Sequence, residues 1–405
     1  MATDGTLERA REVLARAPLV DGHNDVMWAL RTKSAYDLDA MDLAEDRPEL
    51  MTDLARIRAG GMGGQFWSVY VASDMPGDTA VTATLEQIDA LHAMVGRYPD
   101  AFVLARTADD VERAAADGRV ASMIGVEGGQ SIGSSLGALR MLGRMGAGYM
   151  TLTHNHNTPW ADSATDRPVH NGLTRFGEEV VREMNRCGVL VDLSHVSADT
   201  MAHAIDVSEA PVIFSHSSAR ALSAVPRNVP DDILERVRDT GGVVMVTFVP
   251  MFLVPEGADM ANEYVAAEAR IREELGDETA EAHAAMEAWW DEHPMPPAKL
   301  TDAADHVDHV RKVAGIDHIG IGGDYDGTSA MPDGLEDVSK YPDLFAELLG
   351  RGYSEEDLAK VSRGNILRVM RENERVAERL QRERPPSRAR IDDPVDADAR
   401  PEEQE

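Results

Sequence analysis

An α/β fold, a barrel of eight parallel strands alternating with helices, is predicted by three observations. Short apolar runs rich in Val, Ile and Leu recur eight times along the 405 residues, segments of helical periodicity separate several of them, and polar residues able to bind metal or move protons stand where those runs end. Near-continuous apolar strands suit a parallel sheet covered on both faces. Eight alternations of strand and helix close into a (β/α)8, TIM-type barrel. An open doubly wound sheet is the alternative, but no Gly-x-Gly-x-x-Gly turn follows the first run.

The eight runs are residues 18–25, 64–72, 120–128, 149–155, 190–196, 211–217, 243–249 and 319–326. Between them, residues 135–145 carry Leu136, Leu139, Leu142 and Met145 at helical spacing. Residues 174–187 repeat Phe176, Val180, Val181 and Met184 and stop at Gly188, a residue suited to a helix C-cap. Residues 231–239 begin after Pro230 and stop before Gly241 and Gly242. Residues 256–293 form an acidic, alanine-rich helical insertion before the last strand, and a C-terminal helix near 355–382 is expected to pack on the barrel. The barrel is therefore assigned to residues 1–384. From 385 to 405 the chain is acidic, interrupted by proline and short of apolar material, which predicts a disordered tail.

Composition narrows the function. The net charge of −32 argues against a general nucleic-acid binder, because neutralising phosphates needs basic surface. No window reaches about 18 unbroken apolar residues, so no membrane span is expected. The first 16 residues are charged and amphipathic and lack the apolar run of a signal peptide. Cys187 is the single cysteine and has no intrachain partner, which suits a reducing, cytoplasmic setting.

The chemistry lies at the ends of the runs. His23 and Asp25 are two apart, so on a strand they point to one side and could hold an ion, although a solvent-facing pair would read the same way. Glu127 follows an apolar run and precedes two glycines; alone it could equally cap the next helix. His195 and His216 end the fifth and sixth runs. A lone histidine there is more often structural, but these five residues at equivalent ends make a mixed nitrogen and oxygen set suited to zinc or a similar divalent ion. Five ligands suggest two ions bridged by Glu127, whose carboxylate has two oxygens. A carbamylated lysine cannot be the bridge, since none of the lysines, at 33, 299, 312, 340 and 360, ends a strand.

Asp324 is placed to act as base and then acid, with Asp326 as its competitor or as support for the turn at Gly327. His154, at the end of the fourth run, could donate to a developing oxyanion, and His156 reads as a supporting residue. Arg227, in the loop after His216, could grip a carboxylate, although most loop arginines are simply solvated.

With these residues in place, the chain resembles the membrane (renal) dipeptidase family, peptidase family M19 of the amidohydrolase superfamily, in its soluble bacterial form. The resemblance rests on Asp21-Gly22-His23-Asn24-Asp25, Gly125-Val126-Glu127-Gly128-Gly129, Thr151-Leu152-Thr153-His154-Asn155, Asp192-Leu193-Ser194-His195, Ser215-His216-Ser217-Ser218, Arg227-Asn228-Val229-Pro230-Asp231 and Gly322-Gly323-Asp324-Tyr325-Asp326-Gly327. It implies one zinc on His23, Asp25 and Glu127, and a second on Glu127, His195 and His216. It implies that Asp324 transfers the proton, that His154 contacts the scissile group and that Arg227 takes the substrate carboxylate. The family hydrolyses dipeptides and commonly tolerates a D residue at the C-terminal position. Phe248 and Phe252 depart from it, standing where the renal pattern has tyrosines, and the signal peptide, lipid-anchor signal and disulfide cysteines of the membrane-bound members are not found.

The expectation is thus a binuclear zinc dipeptidase that cleaves L-Xaa-L-Xaa and L-Xaa-D-Xaa through a hydroxide held between the ions. Its partner would be a small dipeptide, with no nucleic acid and no membrane, and a homo-oligomer is left open. A deacetylase or lactonase on the same barrel is the rival enzyme, disfavoured by Arg227. A non-catalytic binding protein is the rival from another class, disfavoured by the complete ligand set with Asp324.

Overall fold

The computed structural model describes residues 4–75, 77–276 and 280–393. Among them are nine strands, all parallel: β1 (Leu19–Asn24), β2 (Met62–Tyr70), β3 (Phe102–Leu104), β4 (Val120–Glu127), β5 (Ala147–Thr151), β6 (Leu190–Asp192), β7 (Ile213–Phe214), β8 (Val243–Val246) and β9 (Ile319–Ile321). Eight of them close a ring in the order β2-β1-β9-β8-β7-β6-β5-β4, shut by the β2–β4 pairing, so the expected (β/α)8 barrel is present. The ninth, β3, pairs only with the start of β4 and has no place in the ring. It corrects the strand count read from sequence. Three residues, two of them half-buried, are too few to carry a periodic signal.

Most strands end sooner than their apolar runs. The run 190–196 holds a ladder only over Leu190–Asp192, and 319–326 only over Ile319–Ile321, yet Leu193, Ser194, Gly322 and Gly323 stay buried. The chain leaves the ladder because it turns back on itself there. His195, Asp324 and Asp326 have φ of 69°, 63° and 64°, in the left-handed region that no β-ladder accommodates and that costs energy for any residue but glycine. Close backbone approach adds a second constraint, since a Cβ at Gly22 or Gly322 would collide with the carbonyl oxygen of Ser215.

Inside the ring, Val20, Phe66, Ala121, Met123, Tyr149, Leu190, Ile213, Val243 and Met245 form one apolar cluster. The C-terminal helix Asn365–Glu383 adds Ile366, Leu367, Val369 and Met370 to it. A short helix (Glu355–Ala359) and a wide π turn (Lys360–Gly364) lead into this helix, and Asn365 donates to the carbonyls of Ile316 and Ile319, fixing it to the start of β9. A second, larger cluster fills the space between the strands and the outer helices. The helix Arg175–Cys187 illustrates the local logic. Thr174 caps it by accepting from the Gly177 amide, Gly188 ends it at φ 76°, and Phe176, Val180, Val181 and Met184 form its buried stripe.

The insertion is two helices, Glu256–Leu275 and Ala280–Glu292. The stretch expected to be a free tail behaves differently where it is described. Ser387 donates through Oγ to Glu179 and through its amide to Glu183, it accepts from Arg140, and Ala389 and Ile391 pack on the core. Serine offers what an apolar count overlooks, a backbone and hydroxyl ready for carboxylates already on the barrel surface. Residues 394–405 lie outside the described residues. No helix among the described residues is long and apolar enough to cross a membrane.

Candidate active site

His23, Asp25, Glu127, His154, His195, His216, Arg227 and Asp324 come together at one end of the ring, where β1, β4, β5, β6, β7 and β9 hand the chain to their loops. His23 lies on β1; Asp25 has already left that strand, yet its Oδ2 is 3.1 Å from His23 Nε2. Glu127 ends β4 and is 4 % exposed. Its two oxygens face different neighbours. Oε2 lies 3.4 Å from His23 Nε2 and accepts from Ser68 Oγ at 2.9 Å. Oε1 lies 3.0 Å from His195 Nε2 and 3.5 Å from His216 Nε2. The two histidine Nε2 atoms are themselves 2.8 Å apart.

This donor set fits divalent metal. Three groups of possible ligand atoms lie within 4.8 Å of one another: His23, Glu127 and His216; Glu127, His154 and His195; and His23, Asp25 and Asp324. His23 Nε2 is buried without a hydrogen-bond partner. A Cβ at Gly327 would strike the carboxylates of Asp25 and Asp324, so glycine keeps the space between them clear.

Electrostatics point the same way. Burial favours a neutral Glu127, but His23, His195 and His154 around it hold its carboxyl well below the usual range, so it is a carboxylate. Burial likewise opposes charge on His23, yet Tyr149, Glu127 and Asp25 raise its basicity well above the imidazole norm. His195 and His216 are depressed well below it by burial, reinforced by Arg227 and neighbouring histidines. The anionic pocket thus draws in positive charge while leaving two imidazoles neutral, the form in which they bind metal. Asp324 is raised by burial and by the Asp25 and Glu127 carboxylates, against His23 and Arg227, which gives it unusual affinity for a proton.

A cavity of about 840 Å³ opens above this cluster. Asp25, Glu127, His154, His195, Arg227 and Asp324 line its floor, whereas His23 and His216 lie beneath them, 0 % and 1 % exposed. Asp326 is not among the lining residues; its Oδ1 accepts from the Met51 amide, so of the two competing aspartates it is Asp324 that faces the cavity. Arg227 is buried, with Nη1 3.2 Å from Ser217 Oγ, Nη2 3.4 Å from the His216 carbonyl, and Nε without a partner. Its guanidinium lies 5.2 Å from the Phe252 ring centre, and burial lowers it to about 10, still charged at neutral pH.

His156 was read from the sequence as a supporting residue and 256–293 as an insertion, but the insertion's part in the site and the residues behind the ligands were not. The insertion walls the cavity with Tyr264 and Trp290, facing Trp28 and Tyr70 across it. His156 ties the insertion down, with Nε2 3.2 Å from Glu268 and Nδ1 2.7 Å from Ser73 Oγ. Tyr149, Ser215 and Ser68 contact His23, His216 and Glu127 from behind, and Asp192 holds Ser215. A polar residue inside an apolar run was the available signal for Ser68 and Asp192; nothing in linear spacing marks the insertion as a wall.

Comparison with known proteins agrees with this geometry. A model of the family described as membrane dipeptidase (peptidase family M19) matches residues 7–384. Among solved structures, the probable dipeptidase PvdM of Pseudomonas aeruginosa superposes with a TM-score of 0.78 at 25% identity, covering 92% of this chain and 99% of that one. Dipeptidase AC, a metallo peptidase of family M19, gives 0.73 at 25% identity, with 88% and 98% covered. A metallo peptidase of Rhodobacter sphaeroides, liganded with a phosphinate mimic of the dipeptide L-Ala-D-Ala, gives 0.73 at 24% identity, with 88% and 99% covered, and shares the fold.

Proposed function

Because the chain belongs to the membrane dipeptidase family, peptidase family M19, and is on that ground a metallopeptidase acting on dipeptides, we propose that it hydrolyses L-Xaa-L-Xaa and L-Xaa-D-Xaa with two zinc ions. His23, Asp25 and Glu127 would hold one ion, and Glu127, His195 and His216 the other, with one Glu127 oxygen turned to each set. Bound there, the ions would supply Lewis-acid polarisation of the scissile carbonyl and activation of the attacking water.

The chain's own residues do the rest. Asp324, raised in proton affinity and facing the cavity beside Asp25, takes the proton from the attacking water and returns it to the departing amine. His154 lines the same floor, held near neutrality by burial, and donates a hydrogen bond toward the carbonyl oxygen as negative charge develops. Arg227 receives the C-terminal carboxylate, which sets the distance from that charge to the bond being cut. Such a grip is indifferent to the handedness of the C-terminal residue, in keeping with the L-Ala-D-Ala mimic bound by the Rhodobacter sphaeroides protein.

The observation that carries this reading is the buried Arg227 guanidinium, short of partners, in the same cavity as Asp324 and Glu127. The test is Asp324→Asn. The variant should retain its metal by elemental analysis and lose roughly 10²–10⁴-fold in kcat on L-Ala-D-Ala. Near-normal turnover in a metal-replete variant would remove Asp324 from the proton path.

A further inference from the structure

A histidine serves as a metal ligand through a nitrogen that carries no proton, so something must hold the proton on the other nitrogen. Two of the three histidines carry such a device, and each device draws on a strand other than the histidine's own, β5 for His23 and β6 for His216.

Behind His23 stands Tyr149, from β5. Its hydroxyl donates to the Gly22 carbonyl at 3.1 Å and lies 2.8 Å from His23 Nδ1. A phenol has one proton, and a carbonyl oxygen can only accept it. With that proton committed to Gly22, the phenol oxygen is the acceptor for Nδ1–H. The nitrogen of His23 left to give its lone pair to an ion is then Nε2, the atom facing Asp25 and Glu127.

Behind His216 stands a relay. Its Nδ1 lies 2.8 Å from Ser215 Oγ, and Ser215 Oγ donates to Asp192 Oδ2 at 2.6 Å. Asp192 takes three more donors: Thr151 Oγ1 at 2.9 Å, the Ser194 amide at 3.1 Å and the Ser215 amide at 2.9 Å. Every contact to this carboxylate is a donor, so the Ser215 proton has one direction to point. Ser215 therefore accepts from His216 Nδ1–H and leaves Nε2 bare beside Glu127 and His195. His195 has no such support, since its Nδ1 is buried without a partner.

We infer that Tyr149 and the Asp192–Ser215 pair are positioning residues that preset the metal-binding tautomers of His23 and His216, one ion site each, while His195 is left unset. This rests on the two-ion reading above. Each ion's affinity is then adjustable separately, by a group that touches neither metal nor substrate.

The experiment uses the zinc-loaded full chain, labelled with ¹⁵N-histidine. In the wild type, Nδ1–H protons assigned to His23 and His216 should be observed in slow exchange with solvent, and elemental analysis after dialysis against graded chelator should show two ions released in steps. Tyr149→Phe keeps the ring and should lose one Nδ1–H signal and release one ion at roughly 10–100-fold higher free zinc, with the other ion unchanged. Ser215→Ala should do the same to the other signal and the other ion, and Ser215→Thr, which keeps the hydroxyl, should restore both. Nε2–H signals assigned to His23 or His216 in the wild type, or variants that hold both ions as tightly as wild type, would overturn the inference. The wild-type spectrum decides even if a variant fails to fold. A wild type that binds a single ion would refute the two-ion reading instead, and the count distinguishes the two failures.

Discussion

Replacing Arg227 with methionine removes a buried charge whose present partners are weak. Its two acceptors, Ser217 Oγ and the His216 carbonyl, are neutral and lie at 3.2 and 3.4 Å, and Nε has none. A substrate carboxylate would be the first anionic oxygen bonded to it. A hydrogen bond to a charged group contributes about 1.5–3 kcal/mol, which corresponds to roughly 10–150-fold in kcat/KM at about 1.4 kcal/mol per decade. The assay compares L-Ala-D-Ala with its C-terminal amide on both proteins. Wild type should prefer the free acid by that factor, and Arg227→Met should lose most of the preference. Turnover of the amide itself is expected to fall somewhat, because Arg227 also lowers the proton affinity of Asp324; the acid-to-amide ratio is immune to that shared loss. Arg227→Lys, with a point charge in place of the planar fork, should fall between. An unchanged ratio in Arg227→Met would refute the carboxylate clamp.

Glu127→Gln should lose metal as well as activity, in contrast to Asp324→Asn, and elemental analysis showing full metal with near-normal rate would remove Glu127 from the ligand set. His306 is fully buried; it accepts from the Ala219 amide at Nδ1 and bonds the Leu253 carbonyl through Nε2, and burial pushes it down to about 4. The unfolded chain, with an ordinary value of about 6.5, takes up the proton first, so stability is full above that pH and is lost on the way down to about 4. The loss should be about 2 kcal/mol between pH 7 and 5. Urea unfolding at both pH values should show a smaller acid loss in His306→Gln than in wild type; equal losses would contradict the assignment. Removing residues 394–405 should leave the melting temperature and turnover unchanged, whereas ending the chain after Arg384 should lower the melting temperature by removing Ser387 from Glu179 and Glu183. Equal melting of the two truncations would show that this docking contributes nothing.

The barrel was legible because strands buried on both faces leave apolar runs that survive in any linear reading, and its chemistry was legible because a barrel gathers the ends of those runs. His23, Glu127, His195 and Asp324 could be named from that rule alone. What the rule misplaced was the backbone. His23 and Asp25 were expected to share a strand face; in fact Asp25 has left β1 and meets His23 across a turn, and the left-handed φ of His195 and Asp324 lies beyond the ladder. Tyr149 and Asp192 were not assigned roles because each reaches its partner from another strand, a distance that linear spacing does not encode, and Ser215, directly before His216, stood in the sequence only as part of a motif. The insertion was recognised as an insertion, but whether its helices face a cavity or solvent depends on where two loops place them.

The helix that adds Ile366, Leu367, Val369 and Met370 to the apolar cluster inside the ring follows all nine described strands in the chain. Every described strand is made before it, so the nascent ring lacks the cover of these four side chains until the helix is made. A fragment that ends before residue 366 would carry all the residues of the candidate site and still leave the inward apolar residues of seven strands without this helix, a state prone to aggregate. Such a fragment should become soluble and bind metal only when a peptide spanning 355–393 is supplied in trans.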